Sequence, residues 1–466
     1  MNYENAKLIE FENYVKQKKI AIIGLGVSNI PLLDYFHNLG AYVTVFDNRK
    51  MEEIPKDILD KITNFAIDFS FGEDALSKLQ GFDMIFRSPI IMPYIKEFEE
   101  EVKNGAILTS EIEMLIKLAP CKIIGITGTE GKTTTSSIIY EIVKTAGYNC
   151  YLGGNIGNPL FTKVKDMTPE DVIILEMSSF QLIDMDVSPN ISLITNIYPD
   201  HLNVHGSYEE YQKAKTNIFK YQNEDEVVVL NYDNEITKEF ANEANGKVIF
   251  FSSKEKLQDG YIYDSTDGNI KYCDEGIRRH IINKNDVKLR GIHNYENICA
   301  ALAVTSSITD IDTQVKAIKN FTGVEHRLEF VREFNKVKYY NDSIGTSPAS
   351  TIAGLNAFDE NIVLLAGGSD KGLDYTEVGE AIARNVGSLI LCGPTSDKIE
   401  EATKKALKNK IIDIYHVENL KEQVNLASKV SKPGDVVLLS PASASFDAFK
   451  NFAERGNKFK EFVNEL

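Results

Sequence analysis

No apolar run in this 466-residue chain approaches the ~18 residues that a membrane-spanning helix needs. Its opening stretch, MNYENAKLIEFENYVKQKK, holds no apolar core of the kind a secretory signal carries. A cytoplasmic protein without stable membrane association is therefore expected. Positive charge is also in deficit: 51 Lys and Arg against 68 Asp and Glu give a net charge of −17. That balance argues against nucleic acid as a partner and against an anionic membrane surface. Five cysteines (Cys121, Cys150, Cys273, Cys299 and Cys392) are scattered, odd in number and free of CxxC spacing. Buried reduced thiols are expected, with no part in a disulfide or a metal cage. Repeats, low-complexity tracts and long linkers are missing too. With 43% hydrophobic residues, a chain of this length can bury about three separate cores.

What is present is residues 121–140, CKIIGITGTEGKTTTSSIIY, which read as an apolar strand, a glycine-punctuated loop and a helix. The loop Gly128-Thr129-Glu130-Gly131-Lys132-Thr133 reads as a phosphate cradle. Glycines let successive N–H groups turn inward on an anion, and the helix start adds its positive dipole end. Lys132 can reach the outer phosphates, and the Thr133 hydroxyl can ligate Mg2+. Strict P-loop spacing asks for glycine at position 126, where this chain has Ile126, so the loop is a variant. Gly-Lys-Thr between a strand and a helix still favours phosphate binding over an ordinary corner. An acidic protein must gather its positive groups locally at such a site.

Residues 19–25, KIAIIGL, read as a buried strand leading through Gly26, Val27 and Ser28 into a helix to about residue 38. The next strand, 42–46, ends in Asp47-Asn48-Arg49, and a third, 83–87, in Ser88-Pro89. This is the opening of a Rossmann-like unit, with Asp47 about 20 residues past the glycines. Its fingerprint is incomplete, because Asn29 stands where a third glycine belongs. Asp47, Arg49 and Ser88 read equally as nucleotide contacts or as solvated loop ends. A helix at 111–118 leads into the phosphate loop.

Beyond the loop, a strand core at 172–175 closes on Glu176, and a strand at 191–197 is followed by Asp200 and His201. An acidic strand end beside a phosphate loop suits a second Mg2+ ligand, whereas a loop histidine is more often a bystander. A helix at 208–221 carries Lys213, Lys215 and Lys220, which periodicity alone makes a solvated basic face. Residues 259–285 switch to short alternating strands with Asp-Gly turns at 259–260 and 267–268, a hairpin excursion. Asn294 and Asn297 share a helix face, where they could read an adenine edge or only cap the helix. From residue 323 a third set of βα units is expected. It contains Glu325-His326-Arg327 and strands ending in Asn341-Asp342-Ser343, Gly367-Gly368-Ser369 and Ser440-Pro441-Ala442. The fold class expected is α/β, in three domains at 1–110, 111–322 and 323–466.

With these residues in view, the chain resembles the Mur ligase family, the ATP-dependent amino-acid ligases of peptidoglycan synthesis. GTEGKTTT, Asp200-His201-Leu202 with YQKAK at 211–215, Gly291 to Asn297, and His326-Arg327 stand in the family's order. Asn341-Asp342-Ser343 and SPASASFDAFKNFAERGNKF at 440–459 follow in the same order. EMSSFQL at 176–182 is similar to a stretch of the D-glutamate-adding member. The resemblance implies a Rossmann-like UDP-binding domain, a central P-loop ATPase-type domain with a mostly parallel sheet, and a Rossmann-like C-terminal domain.

It also implies roles. Gly26, Val27 and Ser28 would lie by the UDP pyrophosphate, Asp47, Arg49 and Ser88 near the uridine, and Asn155, Ser178 and Gln181 by the bound substrate. ATP would engage Gly128, Thr129, Glu130, Gly131, Lys132, Thr133 and Thr134, with Asn294 and Asn297 on the adenine side. Arg327 and Asp342 would reach the nucleotide from the third domain by domain closure. Incoming D-glutamate would meet Thr346, Lys371, Ser445 and the Phe452 backbone. Two Mg2+ sites would draw on Thr133, Glu176, His201 and Lys215. Lys215 would be carbamylated by CO2, since a free ammonium cannot ligate a cation. Catalysis would rest on Lys132, Glu176, His201 and Lys215, in a monomer.

The implied reaction joins D-glutamate to UDP-N-acetylmuramoyl-L-alanine through an acyl phosphate, with ADP and phosphate as products. One departure stands out. Relatives often carry lysine directly after the Asn-Asp-Ser of the third domain, and here that residue is Ile344. Lys371 is then the main cation left for the side-chain carboxylate. The alternatives are a sister ligase or folylpolyglutamate-synthase-like enzyme that adds another amino acid, and a nucleotide-dependent regulatory protein. Retention of Lys132, Thr133, Glu176, His201 and Lys215 opposes the regulatory reading. A nicotinamide-dependent dehydrogenase would rest on Gly24-x-Gly26 alone.

Overall fold

The structure, a computed structural model, describes residues 3–66, 68–407 and 410–466. It comprises two compact units, one of Met1–Lys284 with Glu296–Ile318, the other of Asn285–Tyr295 with Lys319–Leu466. Three sheets carry the α/β architecture, two in the first unit and one in the second.

The first sheet has five strands in the order Asp68–Phe71, Tyr42–Asp47, Lys19–Ile23, Met84–Arg87, Ile107–Thr109, all parallel. Its central strands are buried almost end to end (KIAII, YVTVF, MIFR), as strands covered on both faces must be. The order reverses between Lys19–Ile23 and Met84–Arg87, and at such a switch point the strand ends open a crevice. Gly24–Ser28 and Ser88 flank it.

The second sheet runs Cys150–Gly154, Val172–Glu176, Lys122–Thr127, Ile191–Ile194, Val227–Asn231, Lys247–Ser252, Gly260–Asp264, Asn269–Asp274, Ile277–Asn283. Every pairing is parallel except the last two, so Asn269–Asp274 alone runs against the others. Lys122–Thr127 therefore delivers the phosphate loop between the ends of Val172–Glu176 and Ile191–Ile194. The two sheets share one apolar core. The Phe161 ring sits 5.1 to 6.3 Å from those of Phe11, Tyr35, Phe36 and Phe86. In the second unit the hairpin Glu329–Phe334 and Val337–Asn341 opens a sheet that continues in parallel through Val436–Leu439, Ile362–Ala366, Val386–Leu391 and Asp413–His416.

Several sequence expectations need correction. The strand at 191 stops at Ile194, because Thr195 and Asn196 turn in to bond the phosphate loop. The helix at 208 ends at Thr216, where the Asn217 side chain bonds the Leu182 carbonyl at 2.9 Å. Lys215 on that helix is buried and not part of a solvated face. Gly260 opens a strand instead of making a hairpin turn. Cys150 and Cys392 are only half-buried, while all five thiols are free. Among the described residues no helix is long and apolar enough to cross a membrane.

Candidate active site

The phosphate loop is held open from beneath by its neighbours. Glu130 N donates to Asn196 Oδ1 at 2.9 Å, Thr129 N to the Asn196 carbonyl at 2.9 Å, and Thr195 Oγ1 to the Glu130 carbonyl at 2.5 Å. Gly128 and Gly131 have φ of +145° and +81°, which side-chain-bearing residues avoid. Gly131 caps the helix Lys132–Thr145 in the left-handed region. Lys132 Nζ folds back to the carbonyls of Gly128 and Thr129, both at 2.9 Å. Asn297 lies against the loop, since a Cβ at Gly131 would stand 2.6 Å from its Oδ1. Thr134 is buried under the loop, Glu130 exposed above it. Asn294 is buried one turn earlier on the same helix, and its Nδ2 donates to the Arg290 carbonyl at 2.5 Å.

Beside the loop, the buried Glu176 carboxylate accepts from Thr133 Oγ1 at 2.8 Å and from Asn155 Nδ2 at 3.0 Å. Lys215 Nζ reaches Thr127 Oγ1 at 3.1 Å and the Gly128 carbonyl at 3.0 Å. Burial, reinforced by the charge of Lys132, pulls its ammonium down from the ordinary 10.5 to about 7. Tyr211 packs under that ammonium, 4.9 Å from ring centre to Nζ, and its hydroxyl meets Thr129 Oγ1 at 3.0 Å. His201 is half-exposed beside Asp200, with Nε2 3.4 Å from the carboxylate, and lies 5.1 Å from the Phe180 ring. The same Phe180 stacks on the buried His205, whose Nε2 is 2.9 Å from Ser179 Oγ.

A cleft of about 550 Å³ joins these groups to the first sheet. Val27, Ser28 and Ser88 line it on one side, Asn155, Ser178 and Gln181 on another, and Lys132, His201 and Lys215 close its end. Ser178 and Gln181 form a reciprocal cap on the short helix Ser179–Leu182. Gly26 lies in the turn opposite Ser88, a Cβ there being 3.8 Å from Ser88 Oγ. Asp47 and Arg49 brace that turn instead of lining the cleft. Arg49 forks onto Asp47 at 2.8 Å through both Nε and Nη2, and Asp47 accepts the Leu25 amide at 2.8 Å. Burial would raise the Asp47 carboxyl, but the hydrogen bonds from Arg49 and Leu25 outweigh it and hold it below the usual range.

In the second unit, Asp342 is buried, accepting from Ser440 Oγ at 2.7 Å and the Leu328 amide at 3.2 Å. Burial pushes its carboxyl up to about 7 against those two hydrogen bonds. Arg327 and Lys371 are exposed, and Thr346 is half-buried. Ser445 is buried, its carbonyl accepting the Phe449 amide at 2.8 Å, while the Phe452 carbonyl accepts from Ser343 Oγ at 2.7 Å. The loops carrying these residues are drawn together by Arg455. Its buried guanidinium donates to Ser343 Oγ and to the carbonyls of Ser343, Ser443 and Ala444.

Comparison with known proteins gives the family. The Mur ligase MurD-like N-terminal domain matches residues 18–110, the Mur ligase middle domain 126–305, and the Mur ligase glutamate ligase domain 326–443. UDP-N-acetylmuramoylalanine--D-glutamate ligase of Ruminiclostridium cellulolyticum is 46% identical over 466 residues, covering 99% of this chain and 100% of its own. The chain belongs to the Mur ligase family. The ligase of the same name from Acetivibrio thermocellus is 45% identical over 467 residues, 99% of each. Solved structures agree in fold. UDP-N-acetylmuramate-alanine ligase MurC from Thermotoga maritima covers 96% of this Mur ligase and 99% of its own chain at TM-score 0.57 and 18% identity. MurF ligase from Thermotoga maritima, in complex with ADP, covers 97% and 96% at TM-score 0.52 and 17% identity.

Sequence reasoning missed the Thr195-Asn196 brace, the Phe180 and His205 stack, Tyr211 and the buried Arg87 in the first unit, and the buried Arg455 in the second. Thr195 and Asn196 carried a readable signal, as polar residues directly after a strand next to the phosphate loop. The arginines carried less, since nothing local says that a guanidinium will be buried.

Proposed function

We propose that this Mur ligase joins D-glutamate to UDP-N-acetylmuramoyl-L-alanine with conversion of ATP to ADP and phosphate, as a cytoplasmic step in peptidoglycan precursor synthesis. The observation that carries the reading is the full-length likeness, 46% and 45%, to two ligases of that name. The acceptor's carboxylate is a poor electrophile and must first be activated. ATP's phosphates would fill the turn Gly128–Lys132, where backbone amides and the helix start face negative charge. Lys132 would exchange the carbonyls of Gly128 and Thr129 for phosphoryl oxygens, easing the approach of two anions. The hydroxyl of Thr133 and carboxylate of Glu176 are hard oxygen donors that fit Mg2+, which would supply further charge neutralisation there. Transfer of the phosphoryl group makes an acyl phosphate. The D-glutamate amine then forms the C–N bond as the acyl C–O bond to phosphate breaks.

Lys215 takes the reading one step finer. A lysine whose pKa is about 7 is about half neutral amine at neutral pH, the form that adds CO2. The carbamate so formed would turn a misplaced cation into an oxygen ligand for a second Mg2+, shared with Glu176 and His201. The remaining roles belong to the same proposal: Gly26, Val27, Ser28, Ser88, Asn155, Ser178 and Gln181 for the UDP-substrate, with Asp47 and Arg49 acting through the turn they brace, and Asn294, Asn297, Arg327 and Asp342 for the nucleotide. Thr346, Lys371, Ser445 and Phe452 would receive D-glutamate, and domain boundaries would fall near residues 110 and 322. Phosphate release, measured with UDP-N-acetylmuramoyl-L-alanine, ATP, Mg2+ and each amino acid in turn, tests it. Release should depend on D-glutamate; another preferred amino acid, or no release at all, would overturn the assignment.

A further inference from the structure

Arg87 ends the strand Met84–Arg87 with its side chain fully buried, a place where a guanidinium survives only if every donor is met. Its partners stand on two sides of the substrate cleft. Nη1 donates to the carbonyls of Ser88, Pro89 and Ile91 at 3.4, 3.3 and 3.0 Å. Nη2 donates to the Phe180 carbonyl at 3.2 Å and, with Nε, forks onto the Asp184 carboxylate, the Nε bond being 2.9 Å. Ser88, Pro89 and Ile90 line one wall of the cleft, and Ser178 through Gln181 line the other. The planar fork is what allows one side chain to reach both. Because C=O and N–H point oppositely across a trans peptide, a Pro89 carbonyl held on Arg87 also fixes the Ile90 N–H away from it. The Tyr94 hydroxyl adds an exposed link to the Ile183 carbonyl at 3.3 Å over the same span.

We propose that Arg87, acting through Asp184, is a positioning residue that sets the spacing of these two walls for the UDP-substrate. The proposal rests on the reading of the cleft as the acceptor site of the ligase. It touches neither the phosphate loop nor the loops assigned to D-glutamate.

The test is a three-substrate kinetic comparison of wild type, Arg87→Met, Arg87→Lys and Asp184→Asn, with melting curves and calorimetric titration of UDP-N-acetylmuramoyl-L-alanine. Arg87→Met removes the charge at similar volume, and Asp184, 17% exposed, can turn its carboxylate to water. The expected result is a rise of about tenfold or more in KM for the UDP-substrate, with KM for ATP and D-glutamate within about twofold. Arg87→Lys keeps the charge but loses the fork, so it should retain most of the defect. Asp184→Asn should move the same KM and serves if Arg87→Met does not fold. An unchanged KM, complete rescue by lysine, or an equal rise in all three KM values with a lower melting temperature would overturn the proposal. Calorimetric binding that weakens in the variants, alongside a wild type that turns over no D-glutamate, would instead fault the ligase reading alone.

Discussion

Lys215→Met should give a protein that is inactive yet more stable than wild type near neutral pH. Burial brings the Lys215 ammonium from 10.5 to about 7. At ~1.4 kcal/mol per unit, the roughly 3.5 units between those values cost the fold about 4–5 kcal/mol at pH 7. Against this stand two hydrogen bonds, to Thr127 Oγ1 at 3.1 Å and the Gly128 carbonyl at 3.0 Å. Each is worth about 1 kcal/mol, and the Gly128 carbonyl keeps its bond from Lys132 Nζ. The net gain is therefore ~2 kcal/mol. Its sign depends on pH. Between about pH 7 and about pH 10.5 the unfolded chain holds the proton that the folded chain has released, so wild-type stability rises by up to ~1.4 kcal/mol per pH unit. The variant lacks that slope, and its advantage should vanish near about pH 8.5 and hold constant below about pH 7. Urea denaturation in CO2-free buffer across this range reads the difference directly. A difference that does not change between about pH 7 and about pH 9, or a variant less stable at neutral pH, would refute the reasoning. Bicarbonate should stabilise the wild type and leave the variant unmoved.

At Gly128, an alanine Cβ would stand 1.9 Å from Thr195 Oγ1 at a φ of +145°. Gly128→Ala should raise the KM for ATP at least about tenfold and lower the melting temperature; a wild-type KM would contradict the cradle. Ile344→Lys restores a cation beside Thr346, whose amide bonds the Ile344 carbonyl at 2.7 Å. The KM for D-glutamate should fall, and an unchanged or higher value would mean the pocket is built around another group. Arg455→Met strips donors from Ser343, Ser443 and Ala444, which should cost about 3 kcal/mol of second-unit stability and raise the KM for D-glutamate. Wild-type melting and KM together would refute that role.

The parallel strands were legible because strands covered on both faces are continuous apolar runs, as in KIAII, VIILE and VVLL. The strand–loop–helix form at Gly128–Thr133 was legible because its cause is local: glycines, lysine and threonine in nearly consecutive positions. Lys215 was not. YEEYQKAKT has little apolar contrast around the helix, and what buries the ammonium is Thr127 and Gly128, more than 80 residues earlier. Asp47 and Arg49 stood at the expected place in the chain, but whether they face the cleft or brace the glycine turn depends on a carboxylate bonding the Leu25 amide. Arg87 looked like the polar end of a strand. Only the fold brings Phe180 and Asp184 to it.

Phe161 bears on how such ligases can be recombined. In chain order it follows the phosphate-loop helix, yet its ring is wedged among Phe11, Tyr35, Phe36 and Phe86 of the first sheet's layer. The Leu160 and Phe161 amides are held by the Glu111 carboxylate at 3.0 and 2.8 Å. A hybrid spliced at residue 110 would import a foreign N-terminal domain onto a plug cut for the native one. The exchangeable cassette is discontinuous: the first 110 residues together with the short segment around Leu160 and Phe161, moved as a pair.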